Sequence, residues 1–387
     1  MKFLKLLSFS LCCVLPISVI AQWRHITTAT YQQQVESLES IGNPSNALTL
    51  PATLPLVFHI VYSNDNPSFS REAVEWQVSQ LNKHFSLEEF HEKKEIFKDS
   101  TYHHLAADTE IRFCLKEVFF VPTDSLHFTN FNSIKDNSTG GTLPFEPQNY
   151  LNIWVGKLVG SSGFAQMPNG VLETDGIVID QNYFGHQPVP YSEGKTLTHL
   201  LGNSLGLANL WGKNKCLDDG VEDTPIHNAP NYNKVEPDEN HISLCAGFKR
   251  EMYMNYMDNT VDSMLYMFTI GQKERMHQFL SNERNHLLSS DCSSESANFR
   301  SITSSKTLLV GLKVMPNPIK NQLTINYYDE ANTKAVLEIH NALGALIYTE
   351  KIGTTYQQTL PTYNWMAGVY VLSVKGTHNY SLKIIKQ

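Results

Sequence analysis

The residues whose types and spacing could perform chemistry lie mainly in one segment, residues 196–209. Its apolar residues recur at helical spacing, and Gly206 favours the end of a helix. His199 and Asn203 lie one helical turn apart, and Asn209 follows shortly after the glycine. Zinc is normally held by Cys, His or carboxylate, so one histidine and two amides would form a weak site at best. The fifteen histidines of the chain hint at metal, but this segment lacks the ligand set that zinc needs.

A second segment, residues 216–225, is rich in hard oxygen ligands. Its carboxylates are Asp218, Asp219, Glu222 and Asp223. Clustered carboxylates suit calcium, so the loop is a candidate calcium site. The alternative is an acidic turn centred on Gly220 and fastened by Cys216.

The spacing around His199 resembles the zinc motif of the metzincin peptidases, H-E-x-x-H-x-x-G-x-x-H. In that motif the glutamate is the general base and the three histidines hold zinc. Here His199 and Gly206 match, whereas Leu200 occupies the general-base position. Asn203 and Asn209 occupy the second and third ligand positions. A leucine cannot take a proton from water, so the resemblance implies the fold while the substitutions argue against zinc and against catalysis.

His199 has two interpretations. As a zinc ligand it would need partners, and no spacing argument supports a displaced ligand such as His227 or His241. As a residue without metal it would be a hydrogen-bonded histidine in a former active-site cleft. The second interpretation is favoured.

Further segments extend the resemblance to the pappalysin-like metallopeptidases of the metzincin clan. They are residues 110–115, 174–180, 183–185, 216–225, 255–258 and 267–276. The resemblance spans roughly residues 52–292. It implies that Met257 is the Met-turn residue, a hydrophobic floor beneath the metal site, and that the acidic loop binds calcium. Most methionines near Met257 are expected to pack in the core.

The elements around these segments predict an α+β domain over residues 52–292. Strands are expected over residues 56–62, 111–121, 150–155 and 176–179. Ser70 is expected to cap a helix that begins near Arg71. The charged stretch 91–95 is expected to form a solvated helix face or a loop. Together with the resemblance, this pattern predicts a metzincin-like fold with an α/β-type mixed sheet and an active-site helix.

The chain changes character after Cys292. Residues 293–307 are rich in Ser and Thr, which predicts a linker. Residues 308–387 carry short β-rich runs separated by turn residues, which predicts a small all-β sandwich. Three of its sequences resemble the C-terminal sorting domain of type IX secretion: Val-Met-Pro-Asn-Pro at 314–318, Gly-Val-Tyr at 368–370 and Lys-Ile-Ile-Lys at 383–386.

The sorting-domain resemblance implies passage through the outer membrane of a Gram-negative bacterium by the type IX machinery. It also implies removal of the module, followed by release or attachment at the cell surface. The alternative is an ordinary β-sandwich appendage. The N-terminus agrees with export, because residues 1–21 have the pattern of a signal peptide. Residues 22–51 then form a short propeptide-like segment.

Removal of the signal peptide would leave four cysteines. In an exported chain they are expected to form two disulfides, in one of three connectivities. Cys216 with Cys245 is favoured because both flank one loop region, and Cys114 would then pair with Cys292.

Composition excludes two classes of function. The chain has 38 acidic and 30 basic side chains, and its net charge of −8 argues against a nucleic-acid partner. The apolar stretch near the N-terminus is too short to cross a membrane, so no transmembrane segment is expected.

Three functional hypotheses follow. The leading one is a secreted or surface-displayed pseudopeptidase that binds an extended peptide or protein in its cleft, along an edge strand near residues 176–180. The second is an active zinc metalloendopeptidase with an atypical ligand set. The third is a structural or adhesive surface protein that uses the fold as a stable block.

Overall fold

The computed structural model describes residues 48–63, 69–97, 100–168, 171–186, 190–191, 193–212, 216–232, 241–289, 292, 298–301, 311–315, 317–329 and 332–387. The predicted signal peptide lies outside the described residues, as do residues 22–47 of the propeptide-like segment.

One six-stranded sheet forms the base of the central domain. Its order is β4-β5-β3-β1-β2-β6, and β4 alone among these strands runs antiparallel to its neighbour. The strands are β1 (Ala52–Tyr62), β2 (Ile111–Pro122), β3 (Leu151–Gly156), β4 (Gly163–Ala165), β5 (Ile177–Asp180) and β6 (Asn298–Ser301). Apolar residues of β1 pack on both faces of the sheet, which explains its continuous apolar run. The predicted mixed sheet is confirmed.

The α-helices in the described part of this domain are α1 (Arg71–Phe85), α2 (Glu88–Lys93), α3 (Lys195–Ser204) and α4 (Ile270–Asn282). The hydroxyl of Ser70 accepts a hydrogen bond from the backbone N–H of Ala73, so α1 begins at Arg71 as predicted. Thr269 and Gln272 form a reciprocal capping box at the start of α4. Every residue of α3 is buried, so this helix runs through the core.

The prediction that residues 176–180 form the sheet edge was wrong. β5 pairs with β3 on one side and with β4 on the other. Within the described residues, the edge on this side of the sheet is β4, which has three residues and is therefore too short for its apolar alternation to be recognised.

Part of the predicted linker forms a strand. β6 pairs in parallel with residues 117–120 of β2, so the sheet extends beyond Cys292. Composition did not reveal this strand because main-chain pairing requires no particular side chain.

Two disulfides join the pairs that the sequence favours, Cys114 with Cys292 and Cys216 with Cys245. The first links residues 178 positions apart and fastens the chain to β2 just before β6 begins. A loop of that length corresponds to about 5 kcal/mol of stabilisation in the chain-entropy treatment of cross-links.

The C-terminal module consists of two antiparallel sheets, with strand orders β10-β9-β12-β13 and β11-β8-β7. The strands are β7 (Gly311–Met315), β8 (Gln322–Tyr328), β9 (Ala335–Asn341), β10 (Leu346–Ile352), β11 (Thr355–Pro361), β12 (Gly368–Lys375) and β13 (Tyr380–Lys386). Their alternating apolar residues form one core, which confirms the predicted all-β module. Among the described residues of the whole chain, no helix is both long enough and apolar enough to span a membrane.

His59 of β1 is a buried histidine on the sheet face opposite α3. Its ring stacks on Phe119 and Trp154, with centroids 5.3 and 4.9 Å away. Its Nε2 lies 2.8 Å from the Asn152 side-chain oxygen. Burial lowers the pKa of His59 to about 4, against the raising effect of Asn152.

Acidification should therefore destabilise the domain through His59. The unfolded chain takes up the proton near pH 6.5, so stability is lost as the pH falls from there to about 4. The full loss from this residue is about 3 kcal/mol. Urea unfolding between these pH values should show a steeper decline for the native chain than for His59→Phe, which cannot titrate. Equal slopes would contradict the assignment.

Candidate active site

The N-terminus of α3 is held by the buried ammonium group of Lys195. Its Nζ lies 2.9 Å from a Glu89 carboxylate oxygen and 2.5 Å from Glu193, and it donates to the carbonyls of Asp262 and Leu265. Burial alone would raise the pKa of Glu89, but Lys195 and Lys93 lower it to about 2. Buried ammonium and carboxylate groups that neutralise each other thus anchor the N-terminus of the helix.

The C-terminus of α3 is held by Arg284. The Arg284 Nε donates to the carbonyl of Ser204 at 2.7 Å, and the two terminal nitrogens form a bidentate pair with Asp175. Gly206 follows the helix with φ +92°, and a Cβ there would lie 2.0 Å from the Phe279 ring. Only glycine satisfies both constraints, so the chain turns where the sequence predicted.

The three ligand positions of the motif meet at one oxygen atom. The Nε2 of His199 lies 2.7 Å from Oδ1 of Asn209. The side-chain amide of Asn203 donates to the carbonyl of Leu207 at 3.0 Å and reaches the same Asn209 oxygen at 3.4 Å. The side-chain oxygen of Asn209 therefore lies where all three motif positions converge.

Both ring nitrogens of His199 face acceptor oxygens. Nε2 lies 2.7 Å from Oδ1 of Asn209, and Nδ1 lies 3.3 Å from the backbone carbonyl of Asp258. A neutral ring donates from only one of its nitrogens. In the tautomer that donates to Asn209, the Nε2 atom has no free electron pair for a metal ion. The sequence analysis did not foresee this pairing, although an amide at the third ligand position is the residue that could accept it.

Leu200 is a core residue. It is fully buried, and a Cβ placed on Gly163 of β4 would lie 2.6 Å from its Cδ1 atom. His199, Asn203 and Asn209 are also at most 4% exposed. The position of a general base is thus apolar and closed to water.

Met257 lies against α3. A Cβ on Gly202 would be 2.5 Å from the Met257 sulfur, so the thioether packs directly on the helix that carries His199. Its assignment as the Met-turn residue stays a prediction. All six methionines between 252 and 276 are buried, as the expectation of core packing requires: Met252, Met254, Met257, Met264, Met267 and Met276.

Asp258, next to Met257, forms a buried polar group that the sequence analysis missed. Its carboxylate accepts hydrogen bonds from the side-chain and backbone amides of Asn231 and from the Asn259 N–H. Burial raises the pKa of Asp258 to about 7, although these donors act in the opposite direction. His227 lies 4.0 Å from this carboxylate, and burial lowers the pKa of His227 to about 4.

Some carboxylate oxygens of the acidic loop accept hydrogen bonds from other groups of the protein. The hydroxyl of Thr224 lies 2.8 Å from both oxygens of Asp219, and burial raises the pKa of Asp219 to about 7. Asp223 accepts hydrogen bonds from Thr269 and Gly271 at the start of α4. Asp218 and Glu222 are exposed.

Among the described residues, no three His, Cys, Asp or Glu side chains are grouped closely enough to hold a metal ion. Calcium binding by the acidic loop stays a prediction.

Two regions of the chain match known families. Residues 136–281 match the family described as pregnancy-associated plasma protein-A, and residues 313–387 match the secretion system C-terminal sorting domain. The central domain is thus similar to the pappalysin-type metallopeptidases. The C-terminal domain indicates type IX secretion to the cell surface or the extracellular space.

Relatives with this domain include fungal and bacterial proteins. An extracellular metalloprotease of Arthroderma benhamiae is 26% identical over 258 residues, which cover 62% of this chain and 78% of that protein. One of Arthroderma otae is 36% identical over 96 residues, or 24% of this chain and 34% of that protein.

Solved structures of mirolysin confirm the metzincin-like fold. A mutant of Tannerella forsythia promirolysin is 26% identical with a TM-score of 0.59, covering 67% of this chain and 90% of that chain. Mature mirolysin in complex with a cleaved peptide is 27% identical with a TM-score of 0.57, covering 63% and 97%.

Loss of the Asn209 oxygen should destabilise the pappalysin-type domain. Asn209→Leu removes the polar partner of the buried Nε2 atom of His199, so the free energy of unfolding in urea should fall by about 1–3 kcal/mol. Asn149→Leu is the matched control, because Asn149 is only half-buried and pairs with the exposed Glu146. Equal effects of the two substitutions would contradict a special role for Asn209.

Removal of the Arg284 side chain should leave the buried Asp175 carboxylate without its counter-charge. Arg284→Met is expected to lower the free energy of unfolding by about 3–5 kcal/mol, and the double variant with Asp175→Leu should recover part of that loss. Denaturant unfolding of both variants measures this. If the double variant is less stable than the single one, the ion pair is not the cause.

Proposed function

We propose that this protein is an exported member of the pappalysin-type family whose central domain acts without catalysis, as a binding or structural module. The single observation that carries the proposal is the hydrogen bond between Nε2 of His199 and the side chain of Asn209, 2.7 Å long. It uses the one remaining histidine of the motif to join two parts of the chain. Two side chains at ligand positions of the zinc motif here form a hydrogen bond with each other.

Zinc does not fit the residues at this site. Binding would require His199 to give up its hydrogen bond to Asn209 and two neutral amides to replace imidazole ligands. Leu200 supplies no group that could deprotonate water, and its side chain is fully buried against Gly163. These facts support the noncatalytic proposal over a peptidase with an atypical ligand set.

The burial of the site favours a structural or adhesive role as a second candidate. His199, Leu200, Asn203 and Asn209 are at most 4% exposed. A peptide in the cleft would therefore touch the rim around these residues and not the former ligand positions themselves. Export by the sorting domain places either role at the cell surface or outside the cell.

Metal analysis of the purified native chain tests the proposal. We expect far less than one zinc ion per chain after dialysis against zinc, and no hydrolysis of a broad peptide library. Stoichiometric zinc together with chelator-sensitive hydrolysis would refute the noncatalytic function.

A variant that restores the motif is the positive control. Leu200→Glu, Asn203→His and Asn209→His together supply the missing base and ligands, so this variant should bind one zinc ion. Adding His199→Ala should abolish that binding. A native chain that binds one zinc ion would contradict the proposal, whether or not the variant is stable.

A further inference from the structure

β4 presents an open edge of the sheet within the described residues. It pairs with β5 on one side only. The backbone N–H of Asp180 in β5 donates to the carbonyl of Ser162 at 2.9 Å. Hydrogen-bonded positions alternate along an antiparallel pair, so the next residue, Gly163, directs its N–H and C=O away from β5. These outward groups are the ones that an added strand would need.

The hydroxyl of Ser161 already forms hydrogen bonds with both outward groups of Gly163. Its Oγ accepts the N–H of Gly163 at 3.2 Å and donates to the carbonyl of the same residue at 3.0 Å. One side chain therefore reproduces both hydrogen bonds that an incoming strand would make at this position.

Gly163 lies close against both α3 and β5. A Cβ at this residue would lie 2.6 Å from the Leu200 side chain and 2.8 Å from the carbonyl of Val178, so no larger residue fits here without a shift. β4 is thus packed between α3 and β5. Because β4 has three residues, engaging one of its outward positions removes a large part of its open edge.

We propose that Ser161 closes the β4 edge: its hydroxyl keeps an extended peptide from adding to the sheet beside the former active site. The proposal rests on the proposed function in one respect: it assigns the cleft beside β4 a state that is closed to extended peptides and performs no catalysis. An extended peptide could pair at Gly163 only after the Ser161 hydroxyl turned away. Closed edges of this kind also prevent association between sheets of neighbouring molecules.

Amide hydrogen exchange tests the hydroxyl contact directly. The Gly163 N–H should be protected in the native chain, and its exchange should accelerate by about tenfold in Ser161→Ala. Ser161→Thr keeps a hydroxyl and should retain the protection. Ser162→Ala is the matched control, because the adjacent buried Ser162 hydroxyl has no hydrogen-bond partner within the described structure. An unprotected Gly163 in the native chain, or unchanged exchange in Ser161→Ala, overturns the proposal.

Peptide binding tests whether the Ser161 hydroxyl keeps an extended peptide from pairing with β4. The probe is a fluorescent, proline-free hexapeptide of alternating threonine and valine with blocked ends. Ser161→Ala should bind it at least about tenfold more tightly than the native chain or Ser162→Ala. Equal affinities, or no saturable binding by Ser161→Ala, overturn the closure. Hydrolysis of the probe by the native chain would refute the noncatalytic function but leave the exchange comparison valid, so the two failures are distinguishable.

Discussion

A buried imidazole must have a hydrogen-bond partner, and the centre of this domain is arranged around how His199 obtains one. Every residue of the helix that carries His199 is buried, so the ring is not exposed to bulk water. Asn209 supplies the acceptor, and the turn at Gly206 brings it within 2.7 Å. The geometry that brings three ligands to one ion in the metzincin motif here brings an amide oxygen to a histidine and to a second amide.

The position of α3 does not depend on that contact alone. Lys195 anchors its first residue to Glu89 and to two carbonyls of the segment after the Met257 turn. Arg284 anchors its last residue and Asp175 at the other end. Each cation is buried with a matched anion, so loss of one partner is far more damaging than replacement of both. The helix can thus keep its place without a metal ion.

Helix α3 also packs against the edge of the sheet beside the candidate active site. Leu200 fills the space beneath Gly163, and the glycine in turn is engaged by the Ser161 hydroxyl. The apolar residue at the general-base position of the motif therefore joins the core to the edge strand. With the sorting domain that indicates export, these contacts describe an extracellular domain whose interior is specified by packing and internal hydrogen bonds.

The sequence by itself determined the fold class, the helix with His199, the end of that helix near Gly206 and the absence of the motif's base and two ligands. The helix and its end follow from local spacing, whereas the fold class and the comparison with the zinc motif rest on the resemblance to the metzincin peptidases. Only the tertiary structure decided that Asn209 bonds to His199, that Arg284 and Lys195 hold α3, and that β4 and not β5 is the edge. Such contacts join residues from 10 to 109 positions apart, and a three-residue strand or a strand within a Ser- and Thr-rich segment carries no readable period. Proximity of that kind arises when the chain folds, because packing and not sequence order selects which polar groups meet.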